Sequence, residues 1–332
     1  MSRRGWVLFA IMCVVWGIPY LLIKVAVGEV SVPVVVFART ALGALLLLPA
    51  ALWSRQLGGL RHYWRPLAVF AVLEMIVPWG LLSQAERRLP SSLAGLLIAA
   101  VPIIGVLLAR ATGGTERLSR RRWAGLLIGL AGVAVLAAPN LGTGAGLSVA
   151  EVLLVAVGYA AAPLVAARKL ADVPAVPMTA ACLTVAALAW APAAIVTWPH
   201  HVPSGRVLGA LAALGIVCTA GAFLVFLQLI KEVGTSRAMV FTYVNPAVAV
   251  AAGVILLGEP FTAITGVSFV LILAGCLLAT RTERRGDPPG DGGHGAGARE
   301  AEVAGGVGAV GELVDGADER QTAELRVSDR RL

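Results

Sequence analysis

Apolar residues along this chain come in long unbroken runs, separated by short clusters of Gly, Pro, Ser and charged residues, with no strict alternation. A run of about 17 to 24 such residues is long enough to cross the hydrocarbon of a bilayer as a helix. Ten runs meet that length, at roughly 6–27, 32–53, 66–84, 90–109, 123–138, 148–168, 177–198, 207–230, 236–257 and 261–280. The pattern therefore predicts an all-α integral membrane protein with ten transmembrane helices. The last two runs are joined by Gly258-Glu259-Pro260, so the chain crosses and turns straight back.

The runs repeat. At an offset of 144 residues, Gln84, Ser92, Ala94, Pro102 and Val106 fall on Gln228, Ser236, Ala238, Pro246 and Val250. Pro19 and Lys24 fall likewise on Pro163 and Arg168, and after a slip of one residue Glu116 and Gly132 meet Glu259 and Gly275. The expected units are residues 1–140 and 141–282, each with five spans, followed by a tail at 283–332. Five is odd, so the second unit enters the membrane from the opposite side and the repeat is inverted. Two inverted halves can exchange between inward-open and outward-open arrangements around a site at their interface, which favours transport.

Composition supports the membrane reading, with 58% hydrophobic and 14% charged residues. The net charge of +8 does not point to nucleic acid, because the basic residues sit between spans. With the N-terminus inside, 17 Lys and Arg fall in inside segments and only Arg87, Arg88 and Arg206 in outside loops. That bias predicts a multi-pass protein of the inner or plasma membrane with both termini cytoplasmic. The tail holds 7 basic and 11 acidic residues and is rich in Gly, Ala, Asp and Glu, a composition expected to be disordered. Arg3-Arg4 before an apolar run resembles a signal peptide, but no small-residue cleavage pattern follows.

Chemistry is sparse. Cys13, Cys182, Cys218 and Cys276 lie inside apolar runs as small packing residues, and no metal site or cofactor is expected. His62, His200, His201 and His294 stand in loops or the tail with no acid cluster or phosphate loop, so the chain is not expected to be an enzyme or an ATP-driven pump.

Two motifs carry a resemblance. Glu116-Arg117-Leu118-Ser119 leads into the Gly125–Gly132 stretch, and Leu257-Gly258-Glu259-Pro260 leads into Leu271-Ile272-Leu273-Ala274-Gly275. With Trp16-Gly17, Lys24 and Phe37-Ala38-Arg39, they resemble the paired EamA repeats of the drug/metabolite transporter superfamily over residues 6–280. The resemblance implies a ten-helix secondary transporter that exports small metabolites. Ala160 stands where that pattern has Trp, and the tail lies outside it.

An ionisable residue at mid-membrane costs about 2.5 to 3.5 kcal/mol, so those that remain usually face a cavity or a partner. Arg39 in the second run and Glu74 in the third qualify. They can pair with each other, or serve separately. Glu74 would then exchange protons as a coupling group, and Arg39 would hold a substrate carboxylate or phosphate through its fork. Trp16, Tyr20, Trp79, Tyr159, Tyr243 and Asn245 are candidates to line a cavity, against the plainer reading of core or lipid-facing residues.

Pro19, Pro102, Pro163 and Pro246 remove backbone donors within spans, and are expected to break helices and free carbonyls or act in gating. Glu116 and Glu259 each precede a helix whose positive end a carboxylate caps. Lys24 and Arg168 are expected to snorkel to headgroups, and Gln84 and Gln228 to bond at the interface. Gly125, Gly129, Gly132, Gly266 and Gly275 read as close helix packing.

The resulting expectation is a secondary transporter, an exporter of a small polar or amphipathic metabolite such as an amino acid, working by alternating access with protons as a possible coupling ion. Its partners would be the small-molecule substrate and membrane lipids, as a monomer or homodimer, without nucleic acid. Alternatives are a flippase for lipid or lipid-linked substrates, a membrane enzyme acting on a lipid-linked substrate, and a non-transporting receptor or scaffold.

Overall fold

A computed structural model describes residues 1–53, 56–112, 119–141 and 145–280. Glu116 and the 283–332 tail, both assigned roles above, lie outside the described residues. Within them all regular structure is helical. Nine helices are long and apolar enough to cross a membrane. They are α1 (Arg3–Ala26), α2 (Val32–Trp53), α3 (Leu57–Ala85), α4 (Ser91–Ala111), α5 (Arg120–Pro139), α6 (Gly146–Lys169), α7 (Ala175–Val196), α8 (Gly205–Val233) and α10 (Ala263–Thr280). Between the last two, a short turn (Thr235–Ala238) and a 3-10 segment (Met239–Tyr243) lead into α9 (Asn245–Leu257), and together these make the ninth crossing in chain order, bringing the number to ten. With ten crossings, Arg3 and Thr280 come to the same side, called the inner side below, and the opposite side is outer.

Local sequence explains most of the ends. Ser2 caps α1 by accepting from Gly5 N at 2.9 Å, and Ser204 caps α8 by accepting from Val207 N at 3.3 Å. α9 ends on Gly258, whose φ of 67° is the left-handed conformation that a helix-ending glycine supplies without strain. α3 begins nine residues earlier than the apolar run suggests, because a 3-10 segment (Gln56–Tyr63) carries its polar lead.

Proline has a graded effect. α1 breaks at Trp16-Gly17-Ile18 before Pro19, α4 breaks at Ala99-Ala100 before Val101-Pro102, and the ninth crossing breaks at Val244 before Asn245-Pro246. Pro163 corrects the expectation, since α6 runs through it without interruption from Gly146 to Lys169. α3 packs closely beside this helix: a Cβ on Gly158, five residues earlier, would lie 2.6 Å from Leu73 O.

Helices at equivalent places in the two halves pack on each other, α2 on α7 and α5 on α10. The contact of α3 with α6 has its counterpart in that of α8 with α1. The α5–α10 seam is tight because it is lined by glycine: a Cβ on Gly125 would lie 2.5 Å from Ala279 N, and one on Gly132 would lie 2.8 Å from Leu271 Cβ. Gly275 abuts the Gly129 backbone. Gly266 does not belong to this seam, since a Cβ there would meet only the Phe261 ring, at 3.4 Å. Outward faces carry large apolar residues such as Leu45, Leu127, Leu188 and Ile255, as contact with lipid requires.

Candidate functional site

Mid-membrane irregularities in α3 and α8 create the site. Val72–Ile76 of α3 and Ala213–Gly221 of α8 are π-helical, and under the 144-residue offset the first falls within the second. A π segment inserts an extra residue into a turn, re-aims the side chains and leaves a carbonyl without its usual partner. Trp190 of α7 takes up one such group, donating from Nε1 to Ile76 O at 3.1 Å. Thr219 takes up another, donating to Leu214 O at 2.8 Å. Glu74 sits in the first π segment and Cys218 in the second, so the repeat preserves the backbone device and varies the side chain.

The cavity between the halves has a volume of about 280 Å³. Arg39, Glu74, Trp16, Tyr20, Trp79, Tyr159 and Asn245 line it, as do Pro19, Pro102, Pro163 and Pro246. Tyr243 does not. Its hydroxyl instead meets Thr280 Oγ1, and Thr280 in turn donates to Cys276 O at 2.7 Å, tying the ninth crossing to the end of α10.

Arg39 is buried at 7% exposure and held on two sides. Its guanidinium carbon lies 3.7 Å from the centre of the Trp79 ring, and its Nε donates to Thr219 Oγ1 at 3.1 Å. The direct pair with Glu74 that the sequence allows is not formed; a ring face and a hydroxyl fix Arg39, and Glu74 faces the same cavity separately. On another wall Trp16 packs edge-on or tilted against Phe226, Phe241 and Phe223, with centroids 5.3, 5.1 and 6.1 Å away. Asn245, oriented to donate from its amide to Cys13 O at 3.2 Å and Phe241 O at 3.1 Å, satisfies carbonyls beside the two helix breaks.

The cavity is asymmetric across the membrane. On the inner side its lining includes Ala175 at the start of α7, Met178, Met239 and Thr242, all near helix ends. On the outer side it stops at Leu82, Tyr20 and Gly95, where a Cβ on Gly95 would lie 2.5 Å from Ala249 Cβ of α9. Beyond that floor polar contacts close the outer ends. Lys24 Nζ donates to Glu86 O at 2.6 Å and Leu89 O at 2.8 Å, so it caps the end of α3 in place of snorkelling. Glu259 accepts from Ser91 N at 2.7 Å, Ser91 Oγ at 2.9 Å and Ser92 N at 2.9 Å. It thus caps α4, in the other half, and the expectation that it caps its own following helix is corrected. Glu29 accepts from Ser204 N at 2.7 Å and Ser204 Oγ at 2.6 Å.

These contacts set the carboxyls' acidity. Burial acts to raise the Glu259 pKa, but the hydrogen bonds from Ser92 and Ser91 outweigh it and hold the group below its ordinary value. The Ser204 hydrogen bonds lower that of Glu29.

Among the described residues the Lys24 contact has no counterpart at the inner side. By repeat symmetry Arg168 would take the carbonyls of Ile230 and Val233 at the end of α8, as Lys24 takes those of Glu86 and Leu89. Arg168 instead reaches α4, donating to Thr112 O at 3.3 Å and Thr112 Oγ1 at 3.1 Å.

Thr219, Phe223, Phe226 and Met178 are lining residues that the sequence pattern did not single out, as they blend into apolar runs. The 144-residue offset carried the usable signal, because it sets the second π segment opposite Glu74.

Comparison with known proteins agrees with the two-unit organisation. The EamA-like transporter family matches residues 3–138 and again residues 146–281. The chain is 28% identical over 275 residues to the uncharacterized inner membrane transporter YedA of Escherichia coli (strain K12), covering 80% of this chain and 87% of that one. It is 27% identical over 296 residues to the uncharacterized transporter YvbV of Bacillus subtilis (strain 168), covering 85% and 93%. A solved crystal structure superposes with a TM-score of 0.59 at 23% identity, covering 84% of this chain and 97% of that chain, which supports the fold.

Proposed function

The chain belongs to the EamA-like transporter family and is a multi-pass membrane transporter, and from that premise we propose that it exports a small amphipathic metabolite by alternating access. The observation that carries this reading is a cavity between the halves whose lining, among the described residues, reaches the inner helix ends and stops short of the outer ones, holding one cation and one carboxylate between aromatic walls. Such a lining suits a zwitterion with an apolar side chain, such as an amino acid. Arg39 offers its two terminal nitrogens to a carboxylate, because Trp79 and Thr219 engage only its face and its Nε. Glu74 faces the ammonium or carries the coupling proton. The excess of basic residues on the inner side supports cytoplasmic termini, which would put the cavity's inner end toward the cytoplasm.

The test is a thermal-shift screen of purified protein against amino acids and related metabolites, followed by counterflow of any stabilising compound in proteoliposomes. Wild type should show counterflow and pH-driven accumulation, and Glu74→Gln should keep the first and lose the second. Persistence of both would remove Glu74 from coupling and from substrate binding alike and leave it a structural residue. A chain that no compound stabilises, and that moves none, would sink the transport of small zwitterions.

A further inference from the structure

Glu86 has no role in the site described above, yet its setting is unusual. It follows the last residue of α3, one helical turn beyond Leu82, which forms part of the cavity floor. Its residue exposure is 0%, and among the described residues neither carboxyl oxygen has a well-formed hydrogen bond, with only weak support from the Lys24 main-chain N–H. The adjacent ammonium of Lys24 is spent on the main-chain carbonyls of Glu86 and Leu89. A buried carboxylate so weakly partnered is costly, whereas its protonated form is far cheaper to bury.

Its neighbour Lys24 reaches the outer face, where it contributes to a shallow groove together with Glu29, Gly28 and Arg206. The groups acting on Glu86 are Lys24 from α1, Glu259 from the loop after α9 and Arg39 from α2. Tyr20 of α1 lies within electrostatic reach as well. Arg87 and Arg88, its neighbours in sequence, are exposed. Burial pushes the carboxyl well above its ordinary range; Lys24 opposes that shift and Glu259 adds to it.

We propose that Glu86 is a proton-binding site of the outer gate, taking a proton from the outer solution as the outer ends close and returning it there when they part. The proton moves from outer water to a carboxyl oxygen and back by the same side, so none is carried across the membrane at this residue. The sign follows from linkage. The closed outer end holds the protonated form and the opened end, with Glu86 wetted, holds the carboxylate. Acid outside therefore favours the arrangement seen here, and alkaline conditions favour outer opening. This inference rests on the alternating-access reading and adds an external pH control to it.

Hydrogen exchange on the full chain in lipid nanodiscs, between about pH 5.5 and 8.5, tests the proposal, with each rate normalised to the unfolded chain at the same pH. Binding of one proton changes the open-to-closed ratio by up to about tenfold per pH unit. Amides of residues 86–97 should lose protection as pH rises in wild type. Glu86→Gln, always neutral, should stay protected throughout, and Glu86→Asp should regain the pH dependence. A wild-type profile that is flat, or a Glu86→Gln profile that follows wild type, overturns the proposal. Residues 230–242 at the inner end report on the premise. If inner and outer ends alternate equally in wild type and Glu86→Gln, only the role of Glu86 fails. If they never change in opposite senses, alternating access fails with it.

Discussion

Arg39 shows how a single charge is kept in an apolar interior. The Trp79 face answers it electrostatically, an interaction worth up to about 2 kcal/mol when desolvated. The Thr219 hydroxyl, itself anchored by Leu214 O, accepts from its Nε. Lysine would keep the charge and lose the planar fork and the stacking. We expect Arg39→Lys to insert normally and to bind a stabilising carboxylate ligand at least about tenfold more weakly, measured by ligand-induced thermal shift. Thr219→Val keeps the shape and leaves Nε unpaired, at a cost of about 1 to 3 kcal/mol, visible as a lower unfolding temperature without ligand. Unchanged binding in Arg39→Lys would remove Arg39 from the site. The exposure of Arg39 and Glu74 to sequence reasoning had a physical origin, since an ionisable residue stands out against hydrocarbon. Glu86 did not stand out. It ends a span beside Arg87-Arg88, where any carboxyl reads as a loop residue, and only packing reveals that it is enclosed.

At the scale of elements, the glycine seam of α5 and α10 and the breaks in α1, in α4 and before α9 divide the work. The seam packs backbone against backbone, while the breaks surround the cavity and place half-helices at its walls. Gly275→Ala would press a methyl group onto the Gly129 backbone, and overpacking of this kind costs about 1 to 3 kcal/mol. Gly266→Ala has room at the Phe261 ring and should be neutral or slightly stabilising through helix propensity. Thermal unfolding of the two variants in detergent checks the pair, and an equal loss in both would show that the seam is not the source. Span number and repeat were legible because hydrophobic runs register length directly. The π segments were not, since nothing in Val72–Ile76 distinguishes it from ordinary helix until the Trp190 hydrogen bond to Ile76 O is seen beside it. Tyr243 was misplaced for a related reason: the 3-10 segment before Asn245 rotates it away from the cavity and toward Thr280.

For the whole molecule, the inverted repeat makes one conformation informative about the other. In the arrangement seen here Lys24 closes α3 onto α1 at the outer side, and Arg168 leaves the equivalent carbonyls of α8 untouched. Exchange of the halves predicts the reverse when the outer side opens: Lys24 releases Glu86 and Leu89, and Arg168 takes Ile230 and Val233. Lys24→Met should then weaken outer closure, and Arg168→Met should weaken inner closure. A charged hydrogen bond contributes about 1.5 to 3 kcal/mol, so each change should move the inward-to-outward ratio by roughly ten- to hundredfold, in opposite directions. Glu259→Gln should act with Lys24→Met, since it weakens the cap on α4. Acid should act the same way on Glu259 only well below neutral pH, because its depressed pKa keeps the carboxylate in place until then. Hydrogen exchange at residues 86–97 and 230–242 reads both directions at once. Shifts of the same sign in Lys24→Met and Arg168→Met would mean that the two halves do not exchange roles, and that the 144-residue repeat is a relic of duplication without mechanical consequence.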